Sequence, residues 1–175
     1  MRNLTCQLPK FKLHKLNRKM NTYLKLFLCI TIPLLIGAVS GIATAGSINT
    51  WYVTLHKPFF NPPNYLFGPV WTTLYILMGI SFYMILQSPK NKLTQRAIYL
   101  FCIQIFLNFC WSFIFFKFQY IGLALIEIVI MWCSIVAMIM CFIKINKTAG
   151  YLQIPYLLWV SFASILNASL WWLNK

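Results

Sequence analysis

The sequence predicts an all-α membrane protein, a polytopic bundle of five transmembrane helices. Of its 175 residues, 61% are hydrophobic and 9% are charged, whereas a soluble domain carries about 25% charged residues. The apolar residues form five runs of about 20 residues, enough to cross ~30 Å of hydrocarbon as helices. Barrel strands would be ~10-residue alternating segments, which these runs are not. The predicted helices cover about 24–46, 69–87, 97–116, 121–143 and 151–173.

The segment before the first helix, residues 1–23, is basic and polar and predicts a flexible N-terminal arm. With the apolar run and the small residues ending at Ala45, it imitates a secretory signal peptide. The run from Leu24 to Gly46 is long enough to span, so we interpret it as an uncleaved first helix within a transmembrane domain of residues 24–173. Met20 is an alternative start, because the apolar pattern begins just after it.

The net charge of +14 is explained by basic anchors beside the membrane, and no nucleic-acid partner is predicted. Twelve Lys and Arg residues lie before or at the very start of the first helix (Lys25) or in the second and fourth connections, and three (Lys57, Lys117 and Lys175) lie on the other side. The positive-inside rule therefore predicts a cytoplasmic N-terminus. If the chain starts at Met20, six basic residues remain on the N-terminal side against three on the other, so the predicted orientation is unchanged.

The inventory of possible metal ligands is small. The chain has six cysteines without a CxxC pair, two histidines (His14 and His56) and one acidic residue. Zinc sites are usually built from several Cys, His or acidic ligands, so no metal and no bound cofactor is predicted. Five cysteines lie in the predicted helices, where cysteine acts as a small apolar residue.

Three predicted helices each carry aromatic and amide residues on one face. Any one such face is explained by an amide that joins two helices. Three faces in a small bundle favour a ring-lined cavity for a flat, apolar ligand. The faces are Trp71, Tyr75, Met78 and Gly79 in the second helix, Gln104, Asn108, Trp111, Ser112 and Phe115 in the third, and Tyr156, Trp159, Ala163 and Asn167 in the fifth.

Two further features have alternative interpretations. Gly37, Gly41 and Ala45 recur at four-residue steps and predict close helix packing, either within the bundle or across a dimer. Glu127 is the only acid and lies in the fourth helix, where a lone carboxylate costs ~2.5–3.5 kcal/mol. It is either a protonated or hydrogen-bonded side chain, or a ligand contact or proton-coupled group. Because no second acid is present, a two-carboxylate mechanism is excluded.

The connection over residues 47–68 contains WYVTLHKPFFNPP at 51–63, and its prolines suppress regular helix. Trp51 and Tyr52 suit a membrane interface. The segment is predicted to be a stiff lid over one mouth of the bundle. Pro69 is predicted to lie in the first turn of the second helix.

These residues include five ordered motifs: WY..L.KP..NPP at 51–63, FGPVWT.LY..MG at 67–79, LNF.WS..FF at 107–116, GLALIE at 122–127 and PYLLWVSFA..LN at 155–167. With them the chain, over roughly residues 30–173, resembles the translocator protein or tryptophan-rich sensory protein family (TspO/MBR).

The resemblance implies a five-helix bundle, often dimeric, that binds porphyrins and other hydrophobic ligands beneath the 51–68 loop. In bacterial relatives it implies light-dependent porphyrin breakdown, which would involve Trp71 and Trp159. The family's pocket positions correspond to Tyr52, Pro62, Tyr75, Asn108, Trp111, Trp159 and Ala163.

The sequence departs from the family in three places. The cholesterol pattern of animal members needs a tyrosine where this chain has Trp171 and Trp172, so a sterol partner is not predicted. The acid at 127 is Glu where the family more often has Asp. The basic arm is longer than usual.

The predicted function is a membrane receptor or translocator for porphyrin- or haem-like molecules, acting as a homodimer in the lipid bilayer. Lys57 or His56 would meet a propionate. The alternatives are a light- and oxygen-dependent porphyrin-degrading enzyme, with Trp71 and Trp159 as catalytic residues, and a ligand-regulated membrane interaction partner. The predicted ligand-binding residues are Trp51, Tyr52, Pro62, Phe67, Trp71, Tyr75, Asn108, Trp111, Glu127, Trp159, Ala163 and Asn167.

Overall fold

The structure is a computed structural model that describes the backbone of residues 10–175 and the side chains of residues 21–175. Within this part the chain is helical and contains no strand. A π-helical turn continues α3, and a 3-10 turn, Tyr52–Thr54, lies between α1 and α2. The helices are α1 (Lys10–Asn49), α2 (Asn64–Leu86), α3 (Lys92–Ser112, continued by Phe113–Lys117), α4 (Ile121–Ile145), α5 (Lys147–Tyr151) and α6 (Ile154–Leu173).

Five segments of the described residues are long and apolar enough to cross a membrane, which confirms the predicted fold class. The short α5 and the longer α6 together form the fifth segment. The five segments are Asn21–Asn49, Asn64–Leu86, Lys92–Lys117, Ile121–Ile145 and Lys147–Leu173.

The first helix begins earlier than the apolar pattern predicts. Residues 1–9 of the expected flexible arm, with Cys6, lie outside the described residues, but Lys10 to Tyr23 continue α1 rather than forming a separate arm. This stretch is polar and contains neither Gly nor Pro. Hydropathy marks the membrane-spanning part of a helix, and backbone propensity lets the helix continue beyond it.

Two more helix boundaries differ from the predicted ones, and the lid is shorter than predicted. The Asn91 side chain accepts a hydrogen bond from the Thr94 backbone N–H at 2.8 Å, so α3 begins at Lys92. Helix α2 begins at Asn64, directly after Pro63, and Pro69 lies inside this helix rather than in its first turn. The lid, defined here as residues 50–63, is therefore shorter at both ends than the predicted 47–68 connection.

The half of the bundle away from the lid, here called the closed half, is tightly packed. Helix α1 packs against α2, α3 against α4, and α4 against α6. A Cβ atom at Gly79 would lie 2.6 Å from the Cys29 carbonyl oxygen, so α1 and α2 touch backbone to backbone. Ser81 Oγ donates to the Ala149 carbonyl at 2.6 Å and joins α2 to α5.

One small residue of α1, Gly37, serves a contact within the chain. Gly37 leaves room for the Tyr75 ring of α2, which a Cβ atom at position 37 would overlap. Gly41, one turn further, has no neighbouring atom within 4 Å of a Cβ position. At Gly37 the structure therefore favours packing within the bundle over a dimer face.

Candidate functional site

The half of the bundle next to the lid, here called the lid half, contains a cavity of about 590 Å³. Four helical segments form its walls: α1, α2, the end of α3 and α6. Tyr52 of the lid also lines it, and only 3% of this residue is exposed. Three of the segments are those whose aromatic faces the sequence singles out.

Aromatic pairs build the walls. Trp71 stacks on Tyr75 within α2, with ring centroids 5.5 Å apart and planes at 28°. Trp111 stacks on Phe115 at 5.1 Å and 20°. Each pair lies about one helical turn apart, so the backbone fixes its geometry. The cavity is therefore bordered by rings already held in place before any ligand enters.

Trp159 differs from Trp111 in the use of its indole N–H. The Trp111 Nε1–H donates to Asn167 Oδ1 at 3.2 Å, and Asn167 Nδ2 donates to the Ile121 carbonyl at 3.0 Å. The Trp159 ring lies 5.9 Å from that of Phe67, and its buried Nε1 has no hydrogen-bond partner among the described residues. Trp159 lines the cavity, but its N–H is buried away from the cavity surface.

A buried polar network lies behind the aromatic wall. The Tyr75 hydroxyl donates to Asn108 Oδ1 at 2.7 Å, and Asn108 Nδ2 donates to the Tyr156 hydroxyl at 3.4 Å. Asn108 does not line the cavity, because its amide joins these two tyrosines. Its contribution in this structure is to fix Tyr75, which does line the cavity.

The lid is shaped by its own hydrogen bonds. The Tyr52 hydroxyl donates to Asn61 Oδ1 at 2.7 Å, and Asn61 Nδ2 donates to the Pro62 carbonyl at 3.1 Å. Burial raises the pKa of the Tyr52 phenol, and the bond to Asn61 acts in the opposite direction. Lys57 Nζ lies 4.5 Å from the centroid of the Tyr52 ring, a cation–π distance.

Trp51 and Pro62 do not line the cavity. The Trp51 ring packs edge-on against Phe115 at 5.6 Å and so attaches the lid to the end of α3. Pro62 takes part in the lid network through its carbonyl. Both residues support the lid rather than the cavity wall.

Glu127 is separate from the cavity. Helix α4 contributes no lining residue, and the Glu127 side chain is buried in the bundle with 8% exposed. Neither carboxylate oxygen has a hydrogen-bond partner among the described residues. The structure therefore shows no internal hydrogen bond for this side chain among the described residues, which leaves the protonated form of the prediction untested.

Helix α1 supplies a fourth wall of the cavity, in addition to the three predicted aromatic faces. Its small and hydroxyl side chains share one face, and Thr44 Oγ1 donates back to the Ser40 carbonyl at 2.7 Å. Ser40 and Thr44 are both only 3% exposed. The four-residue spacing of Gly37 and Gly41 predicts close packing, and the structure shows that both residues also line the cavity. The α1 residues that line the cavity are Thr31, Leu34, Leu35, Gly37, Ala38, Ser40, Gly41, Thr44 and Ile48.

The predicted residues that the structure brings together around the cavity are Tyr52, Phe67, Trp71, Tyr75, Trp111, Trp159, Ala163 and Asn167. They come from the lid and three helices. The predicted residues outside the lining are Trp51, Pro62, Asn108 and Glu127.

Comparison with known proteins extends these findings. The profile of the TspO/MBR family matches residues 29–173. The chain is 41% identical to the tryptophan-rich protein TspO of Chlorobaculum tepidum over 153 residues, covering 86% of this chain and 96% of that protein. It is 40% identical to the protein of the same name from Archaeoglobus fulgidus, covering 86% and 97%. The human translocator protein is 33% identical over 69% of this chain and 73% of its own length.

Proposed function

The chain belongs to the TspO/MBR family of multi-pass membrane proteins, and from that premise we propose that it is a receptor or translocator for porphyrins and other flat hydrophobic ligands. The ligand would occupy the cavity of the lid half. The observation that carries the proposal is the composition of this cavity. Its walls hold stacked aromatic pairs and its volume is about 590 Å³, within the ~300–1,000 Å³ range of small-molecule sites.

The proposed binding mode uses the rings of the cavity wall. The ring of Trp71 would lie against the macrocycle, since aromatic contacts add ~0.5–1.5 kcal/mol beyond burial. Trp159, which also lines the cavity, would add its ring to the same contact. Asn167, whose amide is held by Trp111 and the Ile121 carbonyl, would orient Trp111 rather than the ligand directly.

The acidic groups of a porphyrin would lie towards the lid. Lys57 lies against Tyr52, which lines the cavity, so its ammonium is the cation that would meet a propionate. His56 is less suited, because its side chain is exposed. Lys57→Gln is expected to weaken porphyrin binding more than His56→Gln.

The test of the proposal is a titration of the purified protein in lipid nanodiscs with protoporphyrin, haem and a sterol. Saturable binding with a shifted Soret band is expected for the tetrapyrroles. Trp132→Phe is the control for cavity tryptophans, because the Trp132 indole donates to Ser161 at 2.8 Å and does not line the cavity. Absence of saturable tetrapyrrole binding would contradict the proposal.

A second candidate function is light- and oxygen-dependent porphyrin breakdown. What favours it is that Trp71 and Trp159, the two tryptophans linked to this chemistry by the resemblance, line the same cavity. The photochemistry would belong to the bound porphyrin, and an indole radical would take part. Illumination separates the candidates, since a binder keeps its shifted Soret band and an enzyme bleaches it with turnover.

We also propose that the N-terminus is cytoplasmic, because twelve basic residues lie on its side of the membrane and three on the other. The lid and the C-terminus would then lie outside. An impermeant thiol reagent added to intact cells should not label Cys6. Rapid labelling of Cys6 under those conditions would reverse the orientation.

A further inference from the structure

The lid is joined to the end of α6 by one asparagine. The Asn174 side chain accepts a hydrogen bond from the His56 backbone N–H at 2.9 Å and donates one to the His56 carbonyl at 3.0 Å. It also donates to the Leu170 carbonyl at 2.8 Å, which fixes the amide to its own helix. A primary amide both donates and accepts, so Asn174 suits this pairing where a carboxylate or an apolar side chain would not.

This pair of bonds is distinct from the other attachments of the lid. Among the described residues, no other hydrogen bond connects residues 51–63 with a helix remote in sequence. The remaining attachments are ring contacts such as Trp51 with Phe115 and Phe60 with Phe162. Ring contacts tolerate sliding, whereas two hydrogen bonds to a single backbone unit fix both position and direction.

The pair also lies close to the cavity. Leu170, one turn before Asn174 on α6, lines the cavity and is 1% exposed. Tyr52, four residues before His56, lines it from the lid. The bonds to His56 therefore join the lid to the same helix that forms one wall.

We propose that Asn174 is a positioning residue that latches the lid over the cavity and thereby sets how long a ligand stays bound. The latch consists of the Asn174 amide and the His56 backbone. The statement on residence time rests on the proposed function, because it concerns a ligand in this cavity. The statement on the lid does not, and it is tested without a ligand.

The ligand-free test is amide hydrogen exchange of the full chain in nanodiscs, read at His56. Asn174→Leu removes both bonds and should accelerate this exchange about tenfold, equivalent to ~1.4 kcal/mol in the opening equilibrium. His56→Pro removes the N–H from the lid side, so it should loosen the rest of the lid in the same way, read at the Lys57 amide. Unchanged exchange in both variants overturns the latch.

Matched controls separate the latch from general effects of substitution. His56→Ala keeps the backbone groups that Asn174 binds and should leave lid exchange unchanged. Asn49→Leu makes the same substitution at the lid end of α1, where the structure shows no side-chain hydrogen bond for Asn49. Accelerated exchange in Asn49→Leu equal to that in Asn174→Leu would overturn the assignment of the latch to Asn174.

The second readout is the dissociation rate of protoporphyrin from the same variants. Asn174→Leu and His56→Pro should each raise it about tenfold, whereas Asn49→Leu, outside the cavity lining, should leave it unchanged. Faster exchange with an unchanged dissociation rate overturns the role of the latch in residence time. If the unmodified protein binds no tetrapyrrole, the proposed function fails, and the exchange experiment still decides whether Asn174 latches the lid.

Discussion

The closed half and the lid half share helices, yet the closed half is tightly packed and the lid half contains a cavity. In the closed half, Gly79 brings the backbones of α1 and α2 into contact, and the rings of Phe82 and Phe101 stack at 4.0 Å. In the lid half, Gly41 and Gly68 have no neighbouring atoms within 4 Å of a Cβ position. The same residue type therefore closes one end of the α1–α2 pair and leaves the other open. The difference shows that the neighbours of a small residue decide whether it packs or makes space.

The largest expected effect is on stability in the closed half. In Gly79→Ala, the added methyl group would lie 2.6 Å from the Cys29 carbonyl oxygen and from Ile30 Cα. Both are backbone atoms, so the helices must separate, at a cost of about 2–3 kcal/mol. Thermal unfolding in nanodiscs measures this loss.

Gly68→Ala is the control in the same helix. Its added methyl group meets no atom within 4 Å, and Ala is the better helix former by ~1 kcal/mol. Stability should therefore stay constant or rise. Equal destabilisation by the two substitutions would contradict the distinction between the halves.

The next effect is on binding in the lid half. Gly41→Leu places a side chain into the cavity that Gly41 lines, and it should weaken protoporphyrin affinity at least about tenfold, ~1.4 kcal/mol. Stability should be kept, because no atom lies within 4 Å of the new Cβ. Gly46→Leu is equally free of neighbours but lies outside the lining, so its affinity should match that of the unmodified protein.

A smaller effect is expected from the cavity tryptophans. Trp71→Phe and Trp159→Phe keep most of the apolar volume but reduce ring contact, so each should weaken protoporphyrin affinity a few-fold, about 1 kcal/mol. If an indole radical takes part in breakdown, bleaching under light should fall far more than affinity. Proportional losses would indicate binding with incidental photochemistry, and no loss of either would place the ligand elsewhere.

The smallest effect is expected at Glu127. Helix α4 contributes nothing to the cavity lining, and the Glu127 carboxyl group has no hydrogen-bond partner among the described residues. Glu127→Gln should therefore leave folding and protoporphyrin affinity almost unchanged. Loss of binding in a folded variant would show that this carboxylate has a functional charge.

The spans were predictable because hydropathy over ~20 residues is a strong signal, whereas their ends depend on single side chains. Asn91 caps α3, which begins five residues before the predicted start. Asn146 accepts a hydrogen bond from the Ala149 N–H at 3.1 Å at the start of α5. Such caps are local hydrogen bonds and leave little trace in average hydropathy. Average hydropathy also fails to predict the polar N-terminal part of α1, which begins at Lys10.

The site was predictable where a helical face points in one direction for its whole length. Trp71 and Trp159 line the cavity as their faces indicate. Asn108 shares its face with Trp111, yet it lies behind the wall, because Tyr75 and Tyr156 occupy its amide. Helical periodicity predicts the direction of a side chain but not which neighbouring side chain it hydrogen-bonds. Contacts between distant segments, such as Asn174 with His56, leave no periodic signal at all.

The central claim is that a tetrapyrrole occupies the lid half and leaves the closed half undisturbed. Methyl NMR of alanine-labelled protein in nanodiscs tests it directly, because the ring current of a porphyrin shifts nearby methyl resonances. Ala163 lines the cavity, and Ala149 is fully buried in the closed half. Protoporphyrin should shift the Ala163 resonance saturably and leave that of Ala149 in place. A shift at Ala149 with none at Ala163 would contradict the claim.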